Sequence, residues 1–463
     1  MRRPIGDQEL RSTLPGFADE PLLATKLMVP QPPEWFVTRP RLLDALTEGA
    51  QGPLMLLAAP AGTGKTMLLG SWIHSGRHPG PVAWLSLDPD DNDRARFWAY
   101  VLAGLRASGA VPSDGSLAHL APSSAGTGET LIPLLINGLG DLPGPVVLVL
   151  DDLHELTDAA ILADVEFLLR RAPPQLRMVL VTRADPALRL ARLRVAGGLT
   201  EVRADELAFS RAETAELVAA FGTALSDAQV TALWRRTEGW AAGLRLAALS
   251  LQHHPDPSGF VAAFSGDDRA VADYLIGEVL DRQPDDIREF LLRTSLADRL
   301  TGGLADALTG DQDSIRRLRE LERTNAFVVP LDPNRTAYRY HQLFAELLRA
   351  ELRRQKPDLS DLAEEERASY GSLLGTLVGL DLASDGPAPD DTMPEGSEAG
   401  LSLEAALEAA EAMRGAALLD ALTAVTEVEV VEEAVTQAVV EAALDGEPAT
   451  VAIGQSTDGD DGR

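Results

Sequence analysis

Three short, largely apolar runs organise the front of the chain: Leu54 to Leu57, Val146 to Leu150, and the segment Leu176-Arg-Met-Val-Leu-Val, interrupted only by Arg177. Each is too short for a packed helix and lacks the apolar/polar alternation of a half-exposed strand, so each predicts a strand buried on both faces. Helical stretches lie between them, beginning with Met67-Leu-Leu-Gly-Ser-Trp-Ile, and this alternation over 23–204 predicts an α/β domain with a parallel sheet. Leu244 to Leu251 reads as an amphipathic helix. Near the C-terminus, Ser384 to Gly400 is rich in Pro, Gly, Ser and acidic residues and reads as a disordered linker. Leu401 to Leu444, rich in Ala, Glu and Leu, reads as one or two helices, and the residues from Gly446 read as disordered.

Each strand closes on residues with chemical capacity. After Leu57 the chain runs Ala58-Ala-Pro-Ala-Gly-Thr-Gly-Lys-Thr66. A buried strand that turns on glycines into a helix leaves a row of unpaired backbone N–H groups aimed at one point, which suits a phosphate. Gly62 and Gly64 allow close backbone approach, Lys65 can reach β- and γ-phosphates, and the Thr66 hydroxyl can ligate Mg²⁺. Pro60, Ala61 and Thr63 complete the loop. The phosphate-loop pattern begins with Gly, whereas this chain has Ala59, so the match is to a relaxed form.

The second run ends in Asp151 and Asp152, at the sheet edge where ligands of α/β proteins bind. Asp151 is the candidate for the Mg²⁺ shell and Asp152 the candidate to orient or deprotonate an attacking water. Taken alone, such a pair more often serves as a helix N-cap, and the loop from Gly62 to Thr66 shifts the reading to metal and nucleotide. The third run ends in Thr182 and Arg183, followed by Asp185-Pro186. Arg183 at that edge either senses a γ-phosphate or is a solvated strand-end arginine, and spacing leaves both open.

The segments TKLMVP, RPRLLDAL, APAGTGKT, VAWLSLDPDDNDRARFWAY, VLVLDDLHE, VTRADPALRLARLR, ELAFSRAE, RRTEGWAAGLRLAALSL, DYLIGEVL, FLLRTSLADRLTGGLADALTG and AYRYHQLFAELLR follow one another in order. Together they resemble the ATPase half of the MalT-like members of the STAND signal-transduction ATPases, the large LuxR-family transcriptional activators. The resemblance implies a nucleotide-binding domain over 23–204 after a flexible segment 1–22. A helical lid containing Trp240 would follow over 205–285, then a winged helix over 286–356. It also implies ATP or ADP with Mg²⁺ as cofactors, slow hydrolysis used as a switch with Asp152 resetting it, and self-association in the ATP state. By the same resemblance the winged helix closes over ADP, and His341 in the RYHQLF motif contacts the β-phosphate from the lid side; the other reading of His341 is a core histidine beside Tyr340 and Phe344. His154 in DDLH is expected to be structural.

Relatives of this kind continue into helical repeats and a LuxR-type helix-turn-helix, and neither is recognisable after Leu352-Arg-Arg-Gln-Lys-Pro. No DNA-binding element is therefore expected in this chain. The change of character near Leu362 fits a disrupted reading frame. A regulator that binds nucleotide without hydrolysis, and a DNA-binding regulator in the family sense, are the alternatives to a switch ATPase.

Charge sharpens the break. Of the net −30, the segment from Asp361 onward supplies most, with 24 acidic and 3 basic residues, and no aromatic follows Tyr370. An independent packed domain is not expected there, so 357–463 reads as an acidic tail. Strong negative charge also opposes sequence-independent binding to nucleic acid phosphates. Arg189, Arg192 and Arg194 form a basic stretch that reads as a solvated helix face. The chain has no cysteine, which excludes disulfides and thiolate chemistry. Met1 to Gly16 lacks an apolar stretch and no run approaches a membrane span, so a cytoplasmic protein is expected.

Overall fold

The computed structural model describes residues 22–122, 127–252 and 254–356. The expectations for the N-terminal 1–21, for His253 and for the acidic tail lie outside the described residues. Five strands, β1 (Leu54–Ala58), β2 (Val82–Ser86), β3 (Val146–Asp151), β4 (Leu176–Thr182) and β5 (Leu199–Val202), form one sheet in the order β2-β3-β4-β1-β5. Its paired strands are all parallel: β1 sits between β4 and β5, with Leu57 beside Val181 and Val202, and β3 sits between β2 and β4.

The continuous apolar runs are explained by burial on both faces. Alternate residues of the central strands point to opposite sides, so Leu54, Leu56, Leu148, Leu150, Met178 and Leu180 join one core. Their neighbours Met55, Leu57, Val147, Val149, Val179 and Val181 join the other. The first core is covered by helices α3 (Arg94–Ala107), α4 (Thr127–Gly140) and α5 (Ala159–Arg171), the second by α1 (Pro40–Gly49) and α2 (Lys65–His74). Local chemistry sets several boundaries. Pro40 opens α1, Asp158 caps α5 through the amides of Ala160 and Ile161, and Gly64 in the left-handed conformation precedes α2.

After the short helices α6 (Ala191–Val195) and α7 (Ala204–Leu207), the chain becomes helical. It runs through α8 (Arg211–Ala220), α9 (Asp227–Thr237), α10 (Ala241–Leu251), α11 (Pro257–Ala263) and α12 (Arg269–Leu275), which continues as one π-helical turn over Ile276–Leu280. Ser210 with Glu213, and Ser226 with Gln229, form the capping boxes of α8 and α9. The remaining elements are α13 (Asp285–Thr294), β6 (Leu300–Thr301), α14 (Gly302–Thr309), α15 (Ser314–Arg323), β7 (Val328–Pro330), β8 (Ala337–Tyr340) and α16 (Gln342–Gln355). β7 and β8 pair antiparallel, with Val328 opposite Tyr340.

The chain divides into two compact units. One holds the residues up to Arg288 together with Arg316–Leu347, and the other holds Glu289–Ile315 and the chain from Leu348. In the first, the segment ahead of α1 is tied to the sheet domain by buried Lys26, which pairs with Asp91 at 2.5 Å and Asp88 at 2.8 Å. In the second, Arg349 donates to the Ser295 carbonyl at 2.7 Å and pairs with Asp298 at 2.6 Å. The fold is thus α/β, a five-stranded parallel sheet with helices on both faces, followed by a run of helices and the antiparallel β7–β8 pair.

Candidate nucleotide site

The carboxyl ends of β1, β3 and β4 bring the sequence-predicted residues of the sheet edge together. The Thr66 hydroxyl, one residue into α2, donates to the Asp151 carboxylate, with oxygens at 3.0 and 3.1 Å. Asp151 is 1% exposed, and burial, helped by the adjacent Asp152 charge, pushes its carboxyl up to about 7. Lys65 is likewise buried. Its ammonium donates to the carbonyls of Ala59 at 2.7 Å and Pro60 at 2.9 Å, and burial pulls it down to about 8. A buried cation held by carbonyls, beside a buried carboxylate held by the Thr66 hydroxyl and the Asp152 backbone, is an arrangement that an anion and a cation would both stabilise.

Gly62 and Gly64 adopt φ of +72° and +85°, which explains the glycines. Ala59 has no such conformation; it is fully buried, and its amide extends the β1–β4 ladder to the Thr182 carbonyl at 3.3 Å. The missing first glycine of the motif is therefore not required by the backbone here.

Asp152 stands at the N-cap position of a 3-10 turn over Leu153–Glu155 but makes no side-chain cap bond, and its φ is 57°. The N-cap alternative therefore does not describe its side chain. Burial raises its carboxyl, opposed first by the Arg183 charge and then by Lys65. Arg183 is not a solvated strand end. Its guanidinium pairs with Glu278 of the π turn at 2.8 Å, and its carbonyl accepts from the Asn325 side chain at 2.7 Å. His154 is half-buried between these groups, with both ring nitrogens lacking hydrogen-bond partners. Burial and then the Arg183 charge hold it down to about 3, so the ring is neutral.

Trp240 connects the phosphate loop to the helical segment. Its indole N–H donates to the Ala61 carbonyl at 2.9 Å, and the Ala242 amide donates to the Gly62 carbonyl at 2.9 Å. The Trp240 ring packs edge-on against Tyr274, Phe327 and His341. His341 is buried, with Nε2 at 3.0 Å from the Thr237 carbonyl and Nδ1 without a partner. Its ring neighbours are Trp240 and Phe327, and Phe327 in turn packs on Phe344, which packs on Tyr340. Glu238, at a φ of 48°, accepts both guanidinium branches of Arg339 at 2.8 and 2.7 Å and the Gln342 amide at 2.9 Å.

Two further residues belong to the site's surroundings. Arg39, 1% exposed, donates to the Leu207 carbonyl at 2.7 Å, covers the Phe209 ring and lies 3.6 Å from where a Cβ on Gly64 would stand. Glu278 lies in the DYLIGEVL segment, but nothing in the sequence singles it out as the partner of Arg183. Of the basic stretch, Arg194 pairs with Glu201 at 2.7 Å, and Arg189 and Arg192 are exposed. Among the described residues no group of His, Cys, Asp or Glu is arranged to hold a metal by itself, and no helix is long and apolar enough to cross a membrane.

Comparison with known proteins agrees with this geometry. Residues 39–181 match the AAA ATPase domain and residues 276–360 the MalT winged helix domain. The serine/threonine-protein kinase PknK of Mycobacterium tuberculosis is 34% identical over 343 residues, 73% of this chain and 31% of that protein. The HTH-type transcriptional regulator MalT of Yersinia enterocolitica is 33% identical over 358 residues, 76% of this chain and 39% of that protein. The chain thus spans well under half the length of these relatives. A Walker-type ATPase of Pyrococcus abyssi superposes with a TM-score of 0.51 at 16% identity, covering 71% of this chain and 100% of that one, which speaks to the fold. The chain carries a MalT-like ATPase portion, an AAA ATPase domain and a MalT winged helix domain joined through a helical segment.

Proposed function

We propose that this portion is a nucleotide-dependent switch of the STAND type, which binds ATP and ADP with Mg²⁺ and hydrolyses ATP slowly. The observation that carries the reading is the Thr66–Asp151 hydrogen bond beside buried Lys65 at the end of a parallel sheet. In this reading the backbone of Pro60, Ala61, Gly62, Thr63 and Gly64 cradles the phosphates, and Lys65 neutralises the outer ones. The Thr66 hydroxyl and the Asp151 carboxylate are the oxygen donors suited to Mg²⁺, which supplies charge neutralisation at the phosphates. Asp152, unbound to any cap, orients the attacking water and takes its proton, and Arg183 senses the terminal phosphate.

The proposed domains are 23–204 for nucleotide binding, 205–285 for the lid and 286–356 for the winged helix. Trp240 and His341 support a closed state, since they link the phosphate loop to lid and winged-helix residues through one aromatic cluster. The unpartnered His341 Nδ1 is the atom available to a β-phosphate. A regulatory role in transcription is proposed by likeness to the transcriptional regulator MalT, and self-association with ATP and a cytoplasmic setting are proposed from the sequence reading alone. The test is to denature the purified protein, identify released nucleotide by chromatography, and assay turnover on the same preparation. Bound ADP with slow turnover is expected; empty protein that neither binds nor turns over Mg-ATP would contradict the reading.

A further inference from the structure

Arg183 is gripped twice. Its backbone is held by Asn325, itself at a φ of 53°, and the next turn is tied down by the Asp185 amide donating to the Arg323 carbonyl at 3.2 Å. Its guanidinium is held by Glu278, through the carboxylate at 2.8 Å and more weakly through the Glu278 carbonyl at 3.5 Å. The main chain of Arg183 is thus fixed at the sheet edge, and the charged end of the side chain is what can be exchanged between partners.

We infer that Glu278 occupies Arg183 in the place of a nucleotide's terminal phosphate, so that this ion pair sets the preference between a nucleoside diphosphate and a triphosphate. The inference rests on the nucleotide-site reading given above. Arg183 directly follows Thr182, whose carbonyl accepts from the Ala59 amide at 3.3 Å where β4 runs beside β1, so Arg183 stands at the edge from which the phosphate loop springs. A guanidinium fork binds a carboxylate and a phosphate with the same donors, so the two anions compete for it. A diphosphate that ends at Lys65 leaves the pair intact, whereas a triphosphate gains Arg183 only by displacing Glu278.

The structure provides for that displacement. Glu278 sits on a π-helical turn, the one such turn among the described residues and an irregularity that often marks functional positions, and four residues later Arg282 lies 3.4 Å from the same carboxylate oxygen. Arg282 also lies 3.8 Å from Glu155. When Glu278 leaves Arg183, a second cation is already within reach, so its charge is not stranded. The exchange moves the end of the lid helix relative to the sheet edge and converts the presence of one phosphate into a change of lid contacts.

The test is calorimetric binding of ADP and of a non-hydrolysable ATP analogue, each with Mg²⁺, to the full chain and its variants. Glu278→Gln should raise the analogue-to-ADP affinity ratio about tenfold, within the usual range of coupling between linked sites. Glu278→Asp, which withdraws the carboxylate by one methylene, should move the ratio the same way by less. Arg183→Ala should lower the ratio, and adding Glu278→Gln to it should change nothing further. A parent ratio in both Glu278 variants, or a Glu278→Gln effect that persists without Arg183, overturns the inference. Parent protein that binds neither nucleotide removes the functional reading itself; parent protein that binds both, with an unmoved ratio in the variants, removes only the latch.

Discussion

Gly62 and Gly64 both require left-handed backbone, yet a Cβ would clash with the helical segment that carries Trp240 only at Gly62, and this separates strain from contact. A Cβ built on Gly62 would stand 2.6 Å from the Ala242 Cβ, 2.8 Å from the Tyr274 hydroxyl and 3.0 Å from the Trp240 Nε1. On Gly64 the nearest atoms are the Arg39 guanidinium at 3.6 Å and the Ala241 Cβ at 3.8 Å, ordinary contacts. Gly64→Ala should therefore cost only the left-handed penalty of roughly 1–2 kcal/mol. Gly62→Ala adds an overpacking term of about 1–3 kcal/mol against the lid. For a domain of this size each kcal/mol moves the midpoint by about 2–4 °C, so nucleotide-free Gly62→Ala should melt about 2–12 °C below Gly64→Ala. Hydrogen exchange gives the local readout, because the Ala242 amide donates to the Gly62 carbonyl and should lose protection only in Gly62→Ala. Equal melting of the two variants, with Ala242 equally protected, would refute the lid contact.

Further outcomes follow from individual groups. Asp152→Asn should retain ATP binding and slow turnover about 10²–10⁴-fold; parent-rate hydrolysis in a single-turnover assay would remove its assigned role. Lys26→Met leaves the fully buried Asp91 without its cation and should cost about 3–5 kcal/mol in denaturant unfolding. Replacing Asp91 with Leu in the same chain should recover part of that loss, and failure to do so would deny the pair its burial cost. Glu201 is held down to about 2, first by Arg194 and then by Arg203. Its folded value lies below its unfolded one, so its contribution is present above about pH 4 and is lost as pH falls toward the folded value. Glu201→Gln should destabilise by about 1 kcal/mol or less at neutral pH, and the gap to the parent should close toward pH 2; a constant gap would contradict the pairing. His341→Ala should weaken ADP binding and speed ADP release, measured by nucleotide exchange; unchanged release would return the ring to a packing role.

The sheet's central strands were legible because burial on both faces leaves an unbroken apolar run, as in Val146 to Leu150, and because phosphate chemistry needs glycine, lysine and threonine at fixed spacing. The strand order was not, since nothing local says that β4 separates β1 from β3. The same limit hid Glu278 and Arg39, whose partners Arg183 and Leu207 are distant in sequence. Trp240 stood out through the family resemblance, but its hydrogen bond to Ala61 exists only after α9 and α10 fold against the phosphate loop. For Arg183 the sequence offered sensing or solvation, and the ion pair with Glu278 is a third arrangement that charge alone, spread over many acidic residues, could not single out.

The central claim is that the loop from Pro60 to Thr66 binds nucleotide phosphates through Lys65. Calorimetric titration of ADP and Mg-ATP into the parent and into Lys65→Met tests it directly. A unit charge about 4 Å from a phosphate in a protein-like dielectric contributes roughly 4 kcal/mol, so the account predicts an affinity loss of up to about 1,000-fold for ATP with the fold intact by circular dichroism. Equal ATP affinity in the parent and a folded Lys65→Met would contradict it.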